Sequence, residues 1–174
     1  PVPEIDIITP VPDSSTHIGV GFARTMNPAA FLPVIVRSRD VGRTFIAADR
    51  ILRNWLVRQK YSIIPSPIRG KTIAVVDDSI VRLTTLPPLI RMIKNAGAQA
   101  VHVLIACPPI YHPCEYGINT PTYGELAAAT ISIEGIKNEM GADSLTYLSL
   151  KDLQEISGKK RCFACMTGEY PLPR

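Results

Sequence analysis

Val75-Val76-Asp77-Asp78-Ser79-Ile80-Val81-Arg82-Leu83-Thr84-Thr85 is an apolar run that ends in two carboxylates and passes directly into a hydroxyl-rich turn. Read backwards to Lys71, the run is continuously apolar, the pattern of a strand buried on both faces of a parallel sheet. Read forwards, the turn feeds a helix that stops at Gly97, a C-cap signal, and a second continuous apolar run, again of the kind buried on both faces, covers Ala100 to Ala106. Strand, helix and strand in this order make a βαβ unit. In open parallel sheets ligands bind beyond the carboxyl ends of the strands, and a helix N-terminus there offers unpaired N–H groups and a positive dipole. Asp77 and Asp78 can accept hydrogen bonds from a vicinal diol, so the segment reads as a site for a sugar phosphate. A plain strand-ending turn with an aspartate cap is the structural alternative.

The flanking sequence repeats the alternation. Strands are expected at Glu4 to Pro10, Leu32 to Val36 and Ser144 to Leu148. Helices are expected at Ser15 to Met26, Tyr123 to Thr130, Ser132 to Met140 and Leu150 to Ile156. An amphipathic helix is expected near Asp49 to Lys60, where Ile51, Leu52, Trp55 and Leu56 form one stripe. The fold class is α/β, a mostly parallel sheet flanked by helices. Residues 1–158 form one domain in this reading, and 159–174 an extended tail.

A chain of 174 residues with 46% hydrophobic content can bury a proper core. It shows no apolar run of membrane-spanning length and no leader, which points to the cytoplasm. It opens on Pro1 rather than Met, as a piece of a longer polypeptide does. Nine bases stand against Asp40 and Asp49 between positions 37 and 71, a local charge of +7, while the rest carries −3. Such a field suits an anionic ligand, nucleic acid or polyphosphate. No nucleic-acid-binding motif accompanies it.

The Val75–Thr85 string is similar to the phosphoribosylpyrophosphate signature of type I phosphoribosyltransferases, and most similar to that of the glutamine amidotransferases among them. Pro12-Asp13-Ser14-Ser15 resembles their pyrophosphate loop and Val41-Gly42-Arg43-Thr44-Phe45-Ile46 their flexible loop. Cys107-Pro108-Pro109-Ile110, His112-Pro113-Cys114, Tyr116-Gly117-Ile118-Asn119 and Cys165-Met166-Thr167-Gly168-Glu169-Tyr170-Pro171 follow in family order. The resemblance covers the transferase half only. It implies the type I phosphoribosyltransferase fold and transfer of ammonia onto phosphoribosylpyrophosphate, with magnesium, in purine synthesis. It implies that Asp77 and Asp78 hold the ribose hydroxyls and, directly or indirectly, magnesium. Ser79, Arg82, Thr84 and Thr85 would cradle the 5′-phosphate, Asp13, Ser14 and Ser15 would meet pyrophosphate, and Arg39, Arg43, Arg58 and Lys60 would close over it. Arg43 counts with the two aspartates as catalytic. Purine nucleotides, a glutaminase domain or subunit and a homo-oligomer are the implied partners; nucleic acid and membrane are not.

The chain departs from the family at three places. Leu83 stands where the family has glycine, Asp40 where it has tyrosine, and Pro87 and Pro88 where it has ordinary residues. A β-carbon at positive φ is unfavourable, and proline removes N–H donors from a helix start. These departures open a second reading, a non-catalytic module of the same fold that binds nucleotides or phosphoribosylpyrophosphate.

Four cysteines in a cytosolic chain argue against a disulfide framework. Cys162-Phe163-Ala164-Cys165 alone fits a redox pair, half a zinc site or chance. In the iron–sulfur branch of the resembled family, Cys114, Cys162 and Cys165 match cluster ligands, with a fourth expected upstream of Pro1. Cys107 reads as a core residue, and His17, His102 and His112 lack metal-ligand spacing.

Overall fold

The computed structural model describes residues 4–26, 28–38, 59–120, 122–158 and 160–171. The chain enters through strand β1 (Ile7–Pro10), helix α1 (Thr16–Thr25), the short strand β2 (Ala30–Phe31), and an antiparallel pair, β3 (Ile35–Arg37) and β4 (Tyr61–Ile63). Then follow β5 (Thr72–Asp77), α2 (Leu86–Asn95), β6 (Ala100–Ile105), α3 (Ala127–Thr130), α4 (Ile133–Met140), β7 (Ser144–Tyr147), α5 (Leu150–Ser157) and α6 (Ala164–Thr167). The main sheet runs β2-β1-β5-β6-β7 with every pairing parallel.

β5 is central and buried from Ile73 to Asp77, as its unbroken apolar run requires. Ile73 and Val75 face the larger core, where Leu89, Ile90 and Ile93 of α2 meet Ile136 and Met140 of α4. Ala74 and Val76 face the other side, where α1 lays Ile18 and Phe22 over them. α1 approaches closely because Gly19 has no side chain: a Cβ there would stand 3.2 Å from Pro10 Cβ and 3.1 Å from the Phe31 ring. Gly97, just after α2, takes φ +100, the left-handed turn expected of a residue that ends a helix.

Four expectations are corrected. The strand expected at Leu32 to Val36 splits, since Pro33 has no N–H to give a ladder; β2 joins the main sheet, and Ile35–Arg37 pairs with β4 instead. β6 is buried on one face only: Val101, Val103 and Ile105 are covered, whereas His102 and Leu104 are half-buried on the side that α1 leaves open. The helix expected at Tyr123 to Thr130 is a 3₁₀ turn, Tyr123–Glu125, followed by α3. The tail from 159 contains the helical turn α6, with Ala164 buried. The amphipathic helix expected near Asp49 lies outside the described residues up to Arg58.

Candidate functional site

The carboxyl end of β5 leads into the Asp77–Asp78 pair. Asp77 is 7% exposed, and its Oδ1 accepts the Ser15 hydroxyl at 2.8 Å and the Asp78 N–H at 2.9 Å. Burial pushes its pKa up to about 7; the neighbouring Asp78 charge adds to this, and the bonds from Ser15 and the Asp78 amide pull the other way. Asp78 is half-buried, and its Oδ1 accepts the Ser79 N–H at 2.7 Å. Asp77 thus sits at the strand end as a carboxyl group that titrates around neutral pH.

A cavity of about 250 Å³ opens over them, lined by Pro12, Ser14, Tyr61 and the whole turn from Asp77 to Leu86. Ser79, Arg82, Thr84 and Thr85 all line it. Arg82 is braced by Glu125, Nε to Oε1 3.4 Å. Leu83 has φ +52, the positive-φ conformation that a glycine would adopt freely; it is the one non-glycine residue in this region among the described residues. Its side chain packs against the larger core. Pro87 and Pro88 are buried in the first turn of α2, so they serve packing at the N-terminus where N–H donors are missing.

On the other side, the Pro12–Asp13 peptide is cis. Ser14 lines the cavity, whereas Ser15 is fully buried and its hydroxyl is given to Asp77. Exposed Asp13 is held by Arg37 of β3, Oδ2 to Nη1 2.7 Å. Lys60 stands over the Tyr61 ring, 5.2 Å from its centroid, and its pKa is lowered by burial and by Arg37, against Asp13. Arg39, Asp40, Arg43 and Arg58 lie outside the described residues. The sequence reading did not single out Arg37 or Tyr61 as site residues. Arg37 was at least part of the basic stretch, but nothing in sequence marks Tyr61, because only the β3–β4 pairing brings it to the cavity.

The cysteines occupy a separate region. The N–H groups of Tyr111 and His112 both donate to the Cys165 carbonyl at 2.9 Å, and the Tyr170 hydroxyl donates to the Pro113 carbonyl at 2.6 Å, which docks the tail on the turn bearing Cys114. Burial raises the Cys165 thiol, and the nearby Cys114 and Cys162 raise it further. All four cysteines are free thiols, and Cys107 is half-buried against the larger core. Among the described residues, no three side chains of metal-binding type gather closely enough to hold a single ion.

No protein-family model matches the chain. It is 45% identical to the amidophosphoribosyltransferase of Bacillus subtilis and 43% identical to that of Methanothermobacter thermautotrophicus, each over 97% of its own length. Among solved structures, the allosteric regulatory enzyme of purine biosynthesis superposes with a TM-score of 0.84 at 42% identity, covering 98% of this chain and 38% of that one. The glutamine phosphoribosylpyrophosphate amidotransferase from B. subtilis, complexed with ADP and GMP, superposes at 0.83 with 43% identity, covering 98% and 39%. The chain spans a little over a third of the length of these relatives, 37% and 36% for the two sequences. With a parallel sheet whose central strand ends in the Asp77–Asp78 pair, a hydroxyl-rich turn behind it and this likeness from end to end, the chain belongs to the amidophosphoribosyltransferases, as their C-terminal part of type I phosphoribosyltransferase fold.

Proposed function

We propose that the chain is a glycosyltransferase domain that joins ammonia to the anomeric carbon of phosphoribosylpyrophosphate, giving phosphoribosylamine as pyrophosphate leaves, in purine synthesis. The observation that carries this is a single cavity lined together by Asp77, Asp78 and the Ser79–Thr85 turn. Asp77 and Asp78 accept the ribose hydroxyls and orient the sugar. The turn's amides and hydroxyls receive the 5′-phosphate, and Ser14 faces the pyrophosphate. Ser15 holds Asp77 in place. As the C–O bond breaks and the sugar becomes cationic, fixed charges and dipoles supply the stabilisation, and no strong base is required of the protein.

The donor set suits magnesium, which is commonly held by one or two carboxylates together with substrate phosphates; it would neutralise the leaving pyrophosphate. Cys114, Cys162 and Cys165 suit an iron–sulfur cluster, whose thiolates stand farther apart than those around one ion, with a fourth ligand from outside this chain. We further propose that glutamine serves as nitrogen source only with a glutaminase domain or subunit, that purine nucleotides compete for the same cavity, and that the protein works as a cytoplasmic homo-oligomer. Among the described residues no helix is long and apolar enough to cross a membrane. A second reading, nucleotide or phosphoribosylpyrophosphate binding without turnover, is favoured by one observation, the side chain of Leu83 at φ +52 inside the phosphate turn.

Pyrophosphate release from phosphoribosylpyrophosphate with ammonium and magnesium tests the two readings. Turnover that falls at least a hundred-fold in Asp78→Asn is the expected result. Magnesium-dependent binding with no release supports the second reading, and equal binding in excess chelator refutes the carboxylate site.

A further inference from the structure

The cavity over Asp77 and Asp78 has one wall from outside the main sheet. That wall is β4, and its lining residue is Tyr61. Tyr61 is 5% exposed, so its ring is packed in place rather than free to leave. A tyrosine buried this far ordinarily has its hydroxyl bonded. Among the described residues this one has no hydrogen-bond partner, although its ionisation responds to Arg37, Asp77, Asp13 and Asp78 together. Tyr61 shares the cavity lining with Pro12 and Ser14 of the loop after β1 and with the carboxylate pair. Burial holds its pKa above the ordinary value, and the three acids act in the same direction against Arg37, so the group stays a neutral O–H donor.

Each nearby carboxylate has one oxygen engaged within the protein. Asp77 Oδ1 accepts from Ser15 and from the Asp78 amide, Asp78 Oδ1 accepts from Ser79, and Asp13 is held by Arg37. A donor that opens onto a cavity without an acceptor of its own is matched by an anionic oxygen brought by the ligand. The position decides which oxygen: Tyr61 is the cross-strand partner of Arg37, which holds Asp13 of the loop expected to meet pyrophosphate.

We propose that Tyr61 is a further binding residue of the site, its hydroxyl donating a hydrogen bond to a pyrophosphate oxygen of bound phosphoribosylpyrophosphate. This rests on the phosphoribosyltransferase reading above. In the reaction such a bond strengthens as negative charge collects on the leaving group, so the residue acts on departure more than on sugar binding.

The test is calorimetry of the 174-residue chain and of Tyr61→Phe with two separate probes, magnesium pyrophosphate and ribose 5-phosphate, each protein's unfolding midpoint being recorded. Tyr61→Phe removes only the hydroxyl. The expected result is pyrophosphate affinity about ten-fold weaker with ribose 5-phosphate affinity and unfolding midpoint unchanged. Unchanged pyrophosphate affinity overturns the assignment, and so does an equal loss for both probes, which marks a packing role. If the wild-type chain binds neither probe, the phosphoribosyltransferase reading fails, and the assignment fails with it.

Discussion

Replacing Leu83 by glycine and, in parallel, by alanine separates two effects that a single substitution confounds. At φ +52 a β-carbon is disfavoured by roughly 1–2 kcal/mol, which glycine escapes and alanine does not. Both variants lose the contacts of the leucine side chain with the core, so that loss cancels between them. Glycine alone adds unfolded-state entropy, about 0.4–1 kcal/mol against it. The glycine variant is therefore expected to be more stable than the alanine variant by about 0.5–1 kcal/mol, a few degrees at most in melting temperature for a chain this size. At an ordinary negative φ the order reverses, because only the entropy difference remains. Urea unfolding of the two variants reads the sign directly. Glycine also clears space where a phosphate approaches the turn, so ribose 5-phosphate affinity is expected to rise about ten-fold in Leu83→Gly, equivalent to about 1.4 kcal/mol. Alanine more stable than glycine, together with unchanged affinity, would refute the argument that leucine strains and narrows the phosphate turn.

Asp77 is an acid with a folded pKa of about 7, above its ordinary value of 3.8, so its contribution to stability is fully present below pH 4 and is lost as pH rises to about 7, by an amount on the order of 4 kcal/mol. Asp77→Asn should flatten that part of the stability–pH curve, and a slope unchanged by the substitution would disprove the assignment. Ser15→Ala removes a buried hydrogen bond that favours the ionised form, so it should destabilise the protein by about 1–3 kcal/mol and move the midpoint of that curve to higher pH. Glutamine should not support pyrophosphate release by the 174-residue chain while ammonium does; release with glutamine alone would show a nitrogen-donor activity within it. In the full-length protein prepared without air, Cys162→Ser with Cys165→Ser should abolish iron-linked charge-transfer absorbance, and iron content equal to wild type would assign those thiols another role.

The apolar run into Asp77-Asp78 and the Gly97 stop were enough to place β5, α2 and β6 in sequence, because a fully buried parallel strand and a helix C-terminus each leave local patterns. The same string marked the cavity's turn, since hydroxyls and carboxylates at a strand end have few other uses there. Leu83 is the clearest case of a departure legible in sequence, and the structure puts it at the φ that makes the absence of glycine matter. Other features depend on distant pairings. Pro33 breaks the expected strand, and only the antiparallel match of Ile35–Arg37 with Tyr61–Ile63 brings Arg37 to Asp13 and Tyr61 to the cavity. The half-covered face of β6 follows from where α1 lies, which no local periodicity encodes. Ser15 looks in sequence like its neighbour Ser14, yet one hydroxyl is buried against Asp77 and the other lines the cavity. Residue type and spacing determined which groups were present; long-range packing decided which of them line the cavity, which support those that do and how far burial shifted the proton on Asp77.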